Sequence, residues 1–329
     1  MVERTIASMI RHEPLRFRAG DASLAGTLTL PDADARLPWA VLVPSWLPRS
    51  RDGGWDRAGH PGWFAEAAAD EPLGLLARLA DALAERGVAS LRYDPRGCGE
   101  SDGAWERTAL FTRIDDARDA IGAMRSRREL DLRRTAIIGH GEGATIALSV
   151  AIGDPAIGAV GLIGAAGRSL RTILRRAVAE RDRTGTDREH PIVGAIDRLS
   201  EELIERVERR ETSLVVDVGG DRVSVDLAAW EQGFHTPGLA LVTMLNRNVV
   251  LAHGTRDAWT DPDESRLLAA TLSASGNDPV LQLADDAGHE LSEGSDDVIG
   301  AFAGELVGRI VPRELPPVLV AIEQMGGGR

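Results

Sequence analysis

The sequence contains no lysine: every one of its basic side chains, apart from seven histidines, is arginine. It has one cysteine, Cys98, so no disulfide can form within the chain, and a reducing compartment is expected. Only one tyrosine is present. No apolar run approaches the length of a membrane span, and residues Met1 to Arg18 hold no apolar core of the kind found in signal peptides. The formal net charge is −13, with no basic patch to meet nucleic acid or an anionic membrane. These absences point to a cytoplasmic protein whose partner is a small molecule rather than a nucleic acid or a lipid surface.

What is present is ordinary for a globular protein: 43% hydrophobic and 27% charged residues over 329 positions, enough to bury a large core. Leu15 to Arg18 and Leu24 to Leu30 read as two short strands. Trp39 to Val43 is a continuous apolar run, as expected of a strand covered on both faces. A loop from Pro44 to Asp70 follows, rich in glycine, proline and tryptophan. Leu73 to Arg86 has helical spacing and stops at Gly87, and Val88 to Tyr93 is the next strand. Further strands are expected at Thr135–Ile138, Ala156–Ile163, Asn248–Ala252 and Pro279–Leu283. Helices are expected at Thr112–Ser126, Asp263–Leu272 and Ser295–Ile310. This alternation implies an α/β fold with a mostly parallel sheet flanked by helices.

The rhythm breaks between residues 165 and 245, which read as an inserted cap, mainly helical. Within it, Leu214 to Leu227 alternates in period two around Gly219-Gly220 and predicts a hairpin. The hairpin's free edge would suit pairing of two copies as a homodimer. The core is assigned to residues 1–164 and 246–325, and residues 326–329 to a disordered tail.

Four segments carry chemistry. Gly139-His140-Gly141-Glu142-Gly143 stands between a strand and a helix, where a G-x-S-x-G nucleophile elbow belongs. Asp94-Pro95-Arg96-Gly97-Cys98-Gly99-Glu100-Ser101 follows a strand as a glycine-rich turn. His253-Gly254-Thr255-Arg256-Asp257 ends another strand, and Gly288-His289-Glu290 follows the last one. Together these segments resemble the α/β-hydrolase superfamily, in the order nucleophile, acid, histidine. Ser50-Arg51-Asp52-Gly53 and Ala165-Ala166-Gly167-Arg168 extend the resemblance to its bacterial serine esterase and peptidase-like branch. The resemblance implies catalytic roles for His289 and Asp257. It also implies an oxyanion hole from the amide of Glu142 and a donor in the Pro44-Ser45-Trp46 loop, where Ser45 or Trp46 is expected because Pro44 has no N–H.

The resemblance fails at one position: Gly141 stands where the serine should be. Three readings follow. The protein runs non-covalent acid/base chemistry with His289 and Asp257 (elimination, cyclisation, isomerisation or direct water attack). Or it is a serine esterase or acyl hydrolase inactivated by substitution at 141. Or it is a pseudoenzyme that binds a ligand or partner. The first is preferred, since glycine loosens the backbone and is an unusual choice for deliberate inactivation. A relocated nucleophile at Ser45 is the less favoured reading of that residue. His140 and Glu142 are read as structural neighbours of the elbow, and Cys98 as packing. Trp46 and Trp259 are expected to touch the substrate. No metal-ligand spacing, phosphate loop or cofactor motif appears, so no cofactor and no metal are expected.

Overall fold

The computed structural model describes residues 10–62, 74–184, 191–218, 221–291 and 297–326. Trp63 therefore lies outside the described residues, as do the hairpin turn Gly219-Gly220 and positions 327–329. Gly326, assigned above to the tail, instead closes a helix, α10 (Pro317–Gly326). Leu319 of this helix, with Leu315 just before it, packs on Leu132 and Ala156.

Eight strands form one sheet, in the order β1 (Arg11–Ala19), β2 (Ala22–Leu30), β4 (Ala89–Tyr93), β3 (Leu37–Val43), β5 (Leu130–His140), β6 (Ile157–Ile163), β9 (Asn248–Gly254), β10 (Val280–Ala284). β1 and β2 form an antiparallel hairpin at one edge, and β2 also meets β4 antiparallel. From β4 to β10 all pairings are parallel. The central strands β3 and β6 are apolar and buried on both faces, and β4 is buried throughout although it carries Ser90 and Arg92, whereas edge strand β1 alternates between exposed and covered positions.

Helices α2 (Leu110–Arg125) and α3 (Glu142–Gly153) cover one face, with α8 (Pro262–Ala274) beside them. Helices α1 (Leu75–Ala84) and α9 (Val298–Arg309) cover the other. α1 buries Leu75, Leu76, Leu79, Ala80 and Leu83, the stripe its helical spacing predicts. Side-chain caps begin several helices: Asp261 accepts from the amide of Asp263 before α8, and Asp297 from that of Gly300 in α9.

The inserted segment contains α4 (Leu170–Thr184), α5 (Pro191–Glu208), the hairpin β7 (Ser213–Val218) and β8 (Asp221–Asp226), α6 (Leu227–His235) and α7 (Gly238–Val242). It has a core of its own, built from Leu174, Leu203, Ile204, Val207, Leu214, Val216, Val225 and Phe234. Val242 and Leu245 belong instead to the main core, so α7 packs as part of the sheet layer. No described helix is long and apolar enough to cross a membrane.

Candidate active site

The end of β5 meets the start of α3 at Gly141, whose φ of 56° and ψ of −119° lie where side chains are strained. The flanking glycines are dictated by contact: a Cβ on Gly139 would fall 2.0 Å from the Gly143 carbonyl oxygen, and one on Gly143 would fall 2.4 Å from that of Val43. The elbow geometry is therefore intact, and only its side chain is missing. The volume of that side chain is filled. A Cβ on Gly141 would lie 2.0 Å from Ser45 Oγ and 3.2 Å from His289 Nε2.

His289 Nδ1 lies 2.7 Å from Asp257 Oδ2. The other carboxylate oxygen accepts from the amides of Trp259 at 2.8 Å and Thr260 at 3.0 Å. His253, fully buried, brings Nε2 to 3.0 Å from Asp257 Oδ2 and 2.9 Å from the Thr260 carbonyl. A carbonyl can only accept, so that nitrogen carries a proton. Burial works against ionising Asp257, but the imidazoles of His289 and His253 outweigh it and hold the carboxyl well below its usual range. An ionised Asp257 fixes a proton on His289 Nδ1 and leaves Nε2 as the lone-pair nitrogen facing Gly141. Gly164, at the end of β6, makes room for this pair: its φ is +56°, and a Cβ there would lie 2.9 Å from His289 Cε1. Neither His253's second contact nor Gly164 was marked as functional in the sequence. Their signal, a histidine four residues before the acid and a glycine after an apolar strand, has no meaning until the strand ends converge.

A second buried network lies behind the histidine. Arg49, 1% exposed, pairs with Glu290 Oε1 at 2.7 Å and donates to the Gly53 and Trp46 carbonyls. Burial opposes ionisation of Glu290, but Arg49, with smaller contributions from the neighbouring histidines, offsets it, so the carboxyl is held low. His140 lies against His289, with ring centroids 4.4 Å apart and the planes tilted by 40°, and donates from Nε2 to the His289 carbonyl at 3.1 Å. Burial pushes His140 down to about 3, so it stays neutral. His140, His289 and Glu290 bring ligand-type atoms within 4.8 Å of one another, and so do Asp56, His60 and Cys98. In the first group Arg49 neutralises the one carboxylate through Oε1, while His140 Nδ1 and Glu290 Oε2 are buried without a hydrogen-bond partner. In the second, burial pushes the Cys98 thiol up and away from thiolate.

The site opens into a cavity of about 120 Å³ beneath the cap. Ser45, Gly141, Glu142 and His289 form its floor, and Trp46, Trp259, Leu110, Ile173 and Leu174 supply apolar walls. Glu142 is the first residue of α3, so its amide has no intrahelical acceptor and stands at the positive end of the helix. Its carboxylate is turned aside to Arg113, 2.5 Å away. Trp46 packs edge-on against Trp230 of the cap, with centroids 5.0 Å apart, and Trp105 completes the cluster. Trp39 is core, as the sequence suggests. The wall residue Arg168 is bound to Glu264, which also accepts from the amides of Gly167 and Arg168.

The glycine-rich turn after β4 serves as a brace. Asp94 accepts from the backbone amide of Arg51 at 2.6 Å, from its guanidinium, and from the Glu100 amide at 3.0 Å. Arg96 binds Asp116 and Asp21. Both halves of the sequence resemblance, the turn and Ser50-Arg51-Asp52-Gly53, thus join to hold the loop that carries Ser45.

An eight-stranded sheet of this order, an elbow between β5 and α3, and an acid and a histidine after β9 and β10 define the α/β-hydrolase fold, and this chain adopts it. Residues 69–178 match the Hydrolase 4 family, described as serine aminopeptidase, S33. Among solved structures, the chain is similar to DcsB in complex with its substrate analogue, with a TM-score of 0.63, 13% identity, and coverage of 91% of this chain and 100% of that one. It is also similar to Est1E from Butyrivibrio proteoclasticus with bound ferulic acid, at TM-score 0.62 and 15% identity, covering 90% and 99%. An esterase of Pyrococcus furiosus aligns at TM-score 0.56 and 16% identity, covering 92% and 89%. No curated protein sequence matches the chain.

Proposed function

We propose that the protein is an enzyme acting on a small, largely apolar molecule, with His289 and Asp257 as its acid/base pair and no nucleophile at position 141. One observation carries this reading: the 2.7 Å contact between His289 Nδ1 and Asp257 Oδ2 leaves Nε2 directed at the cavity floor. A positioned imidazole of this kind takes a proton in one step and returns it in the next. The apolar walls and the paired state of Arg168 favour an uncharged substrate, and the esterase likeness suggests an acyl compound such as a small ester. The amide of Glu142 would stabilise negative charge developing on its carbonyl oxygen.

The occupied volume beside Gly141 supports glycine as the residue this site is built around. A serine there would force the Ser45 hydroxyl aside. What His289 deprotonates is then a water, a substrate atom or the Ser45 hydroxyl. The test is turnover of a series of p-nitrophenyl esters of increasing acyl length. Asp257→Asn should lower kcat by about 10⁴-fold, with His289→Ala at least as damaging. Unchanged turnover in His289→Ala would sink the proposal and leave the pseudoenzyme reading.

A further inference from the structure

We infer that Ser45 is the nucleophile of this site, relocated from the elbow to the neighbouring strand end. The inference rests on His289 being the working base and names the hydroxyl it serves. It begins with register. β3 and β5 are adjacent and parallel, and Val43 pairs with Gly139. Two residues beyond each partner stand Ser45 and Gly141. Neighbouring parallel strands leave the sheet at the same level, so a side chain on residue 45 emerges beside one on residue 141.

Gly141 has no side chain, and Ser45 uses the space. Its Oγ lies 2.0 Å, and its Cβ 3.0 Å, from the point a Cβ on residue 141 would occupy, with His289 Nε2 at 3.2 Å from the same point. The two positions exclude each other: a side chain at 141 and the Ser45 hydroxyl cannot share this volume. Among the described residues no hydrogen bond holds the Ser45 hydroxyl, so its proton is uncommitted. Catalytic hydrogen bonds of this kind often close only when substrate is bound. The loop bearing Ser45 is fixed from below by Arg49, which donates to the Trp46 carbonyl, and by Arg51 on Asp94. The hydroxyl is therefore presented by a braced loop.

The reaction balances as ordinary acyl transfer. Ser45 Oγ bonds to the ester carbonyl carbon as its proton passes to His289 Nε2. The bond to the leaving alcohol breaks, and His289 returns the proton to that alcohol's oxygen. Water then attacks the acyl-Ser45 carbon, gives its proton to His289, and the Oγ–carbon bond breaks as Oγ takes the proton back. The Glu142 amide faces the carbonyl oxygen in both halves.

Labelling with a fluorophosphonate, followed by tryptic mapping, tests this directly. Cleavage at Arg36 and Arg49 yields the peptide Leu37–Arg49, in which Ser45 is the sole hydroxyl. The expected result is one adduct on that peptide in the wild-type protein, none in Ser45→Ala, and labelling slowed at least 100-fold in His289→Ala. Ser45→Ala should melt at the wild-type temperature, since it removes no hydrogen bond, and should lose at least 100-fold in ester turnover. An unlabelled wild-type protein, or an adduct on another peptide, overturns the assignment. Turnover retained by Ser45→Ala but lost by His289→Ala overturns Ser45 alone and leaves the acid/base pair standing. Adduct on Ser45 formed equally fast in His289→Ala keeps the nucleophile and overturns the pair.

Discussion

At the scale of single residues, this site is organised by small side chains. Gly141 yields its volume to Ser45, and Gly164 yields its own to His289. Both have φ near +56°, where a Cβ is costly. Gly164 offers the sharper experiment, because it is not itself placed to touch substrate. Gly164→Ala should destabilise the protein by about 1 kcal/mol from backbone strain. It should cost far more in function, since the new methyl must push His289 off Asp257. Denaturant midpoints and kcat measured on the same preparation check this: a variant that stays folded but loses at least 10-fold in kcat is expected. Equal kcat would mean that the imidazole can move without penalty. The histidine itself was legible from Gly288-His289 and its order behind Asp257. The supporting glycine was not, because its neighbours come from strands distant in sequence.

At the scale of elements, the strand ends do the positioning, and buried ion pairs hold the loops that leave them. Arg49 of the loop after β3 and Glu290 of the loop after β10 meet at 2.7 Å with almost no solvent contact. Through this pair the strand end that carries Ser45 is tied to the one that carries His289. Removing one partner leaves a buried charge uncompensated, so Glu290→Gln and Arg49→Met should each destabilise by about 3–5 kcal/mol. The double variant should recover part of that loss, and a double-mutant cycle by chemical denaturation would show it. Additive losses would mean that the pair is not coupled. The elements themselves were largely readable. A continuous apolar run marked β3, helical spacing marked α1, and β4, β6 and α2 were each expected close to where they fall. The sequence did not single out α6, α7 and α10 as separate helices, because they are short or weakly patterned and owe their form to tertiary packing.

At the scale of the whole molecule, several groups near the site carry a shared acid sensitivity. His140 is held down to about 3 from an ordinary value of 6.5 by burial, and Asp257 and Glu290 are held low by their partners. For all three the unfolded chain binds protons at a pH where the folded one does not. Stability therefore falls as pH falls, from about 6.5 downward for His140 and from the usual carboxylate range for the acids. His140 alone contributes a slope of about 1.4 kcal/mol per pH unit in this window. Unfolding free energies measured between pH 7 and pH 4 should show it. A His140→Gln variant, whose amide can still donate to the His289 carbonyl, should give a visibly shallower slope; an identical slope would exclude His140 as the source.

By itself the sequence determined the architecture: strand runs, helix spacings and four ordered motifs were enough to specify a mostly parallel sheet with an acid and a histidine at its strand ends. It also showed that position 141 is empty. What fills the emptiness was decided by the tertiary structure. Ser45 and Gly141 are separated by almost a hundred residues of chain, and only the pairing of β3 with β5 brings them to one level. The sequence made Ser45 look like one serine in a loop, better suited to offer its amide than its hydroxyl. The tertiary structure puts that hydroxyl in the space that Gly141 leaves beside His289, because two side chains cannot occupy the room that one glycine vacates.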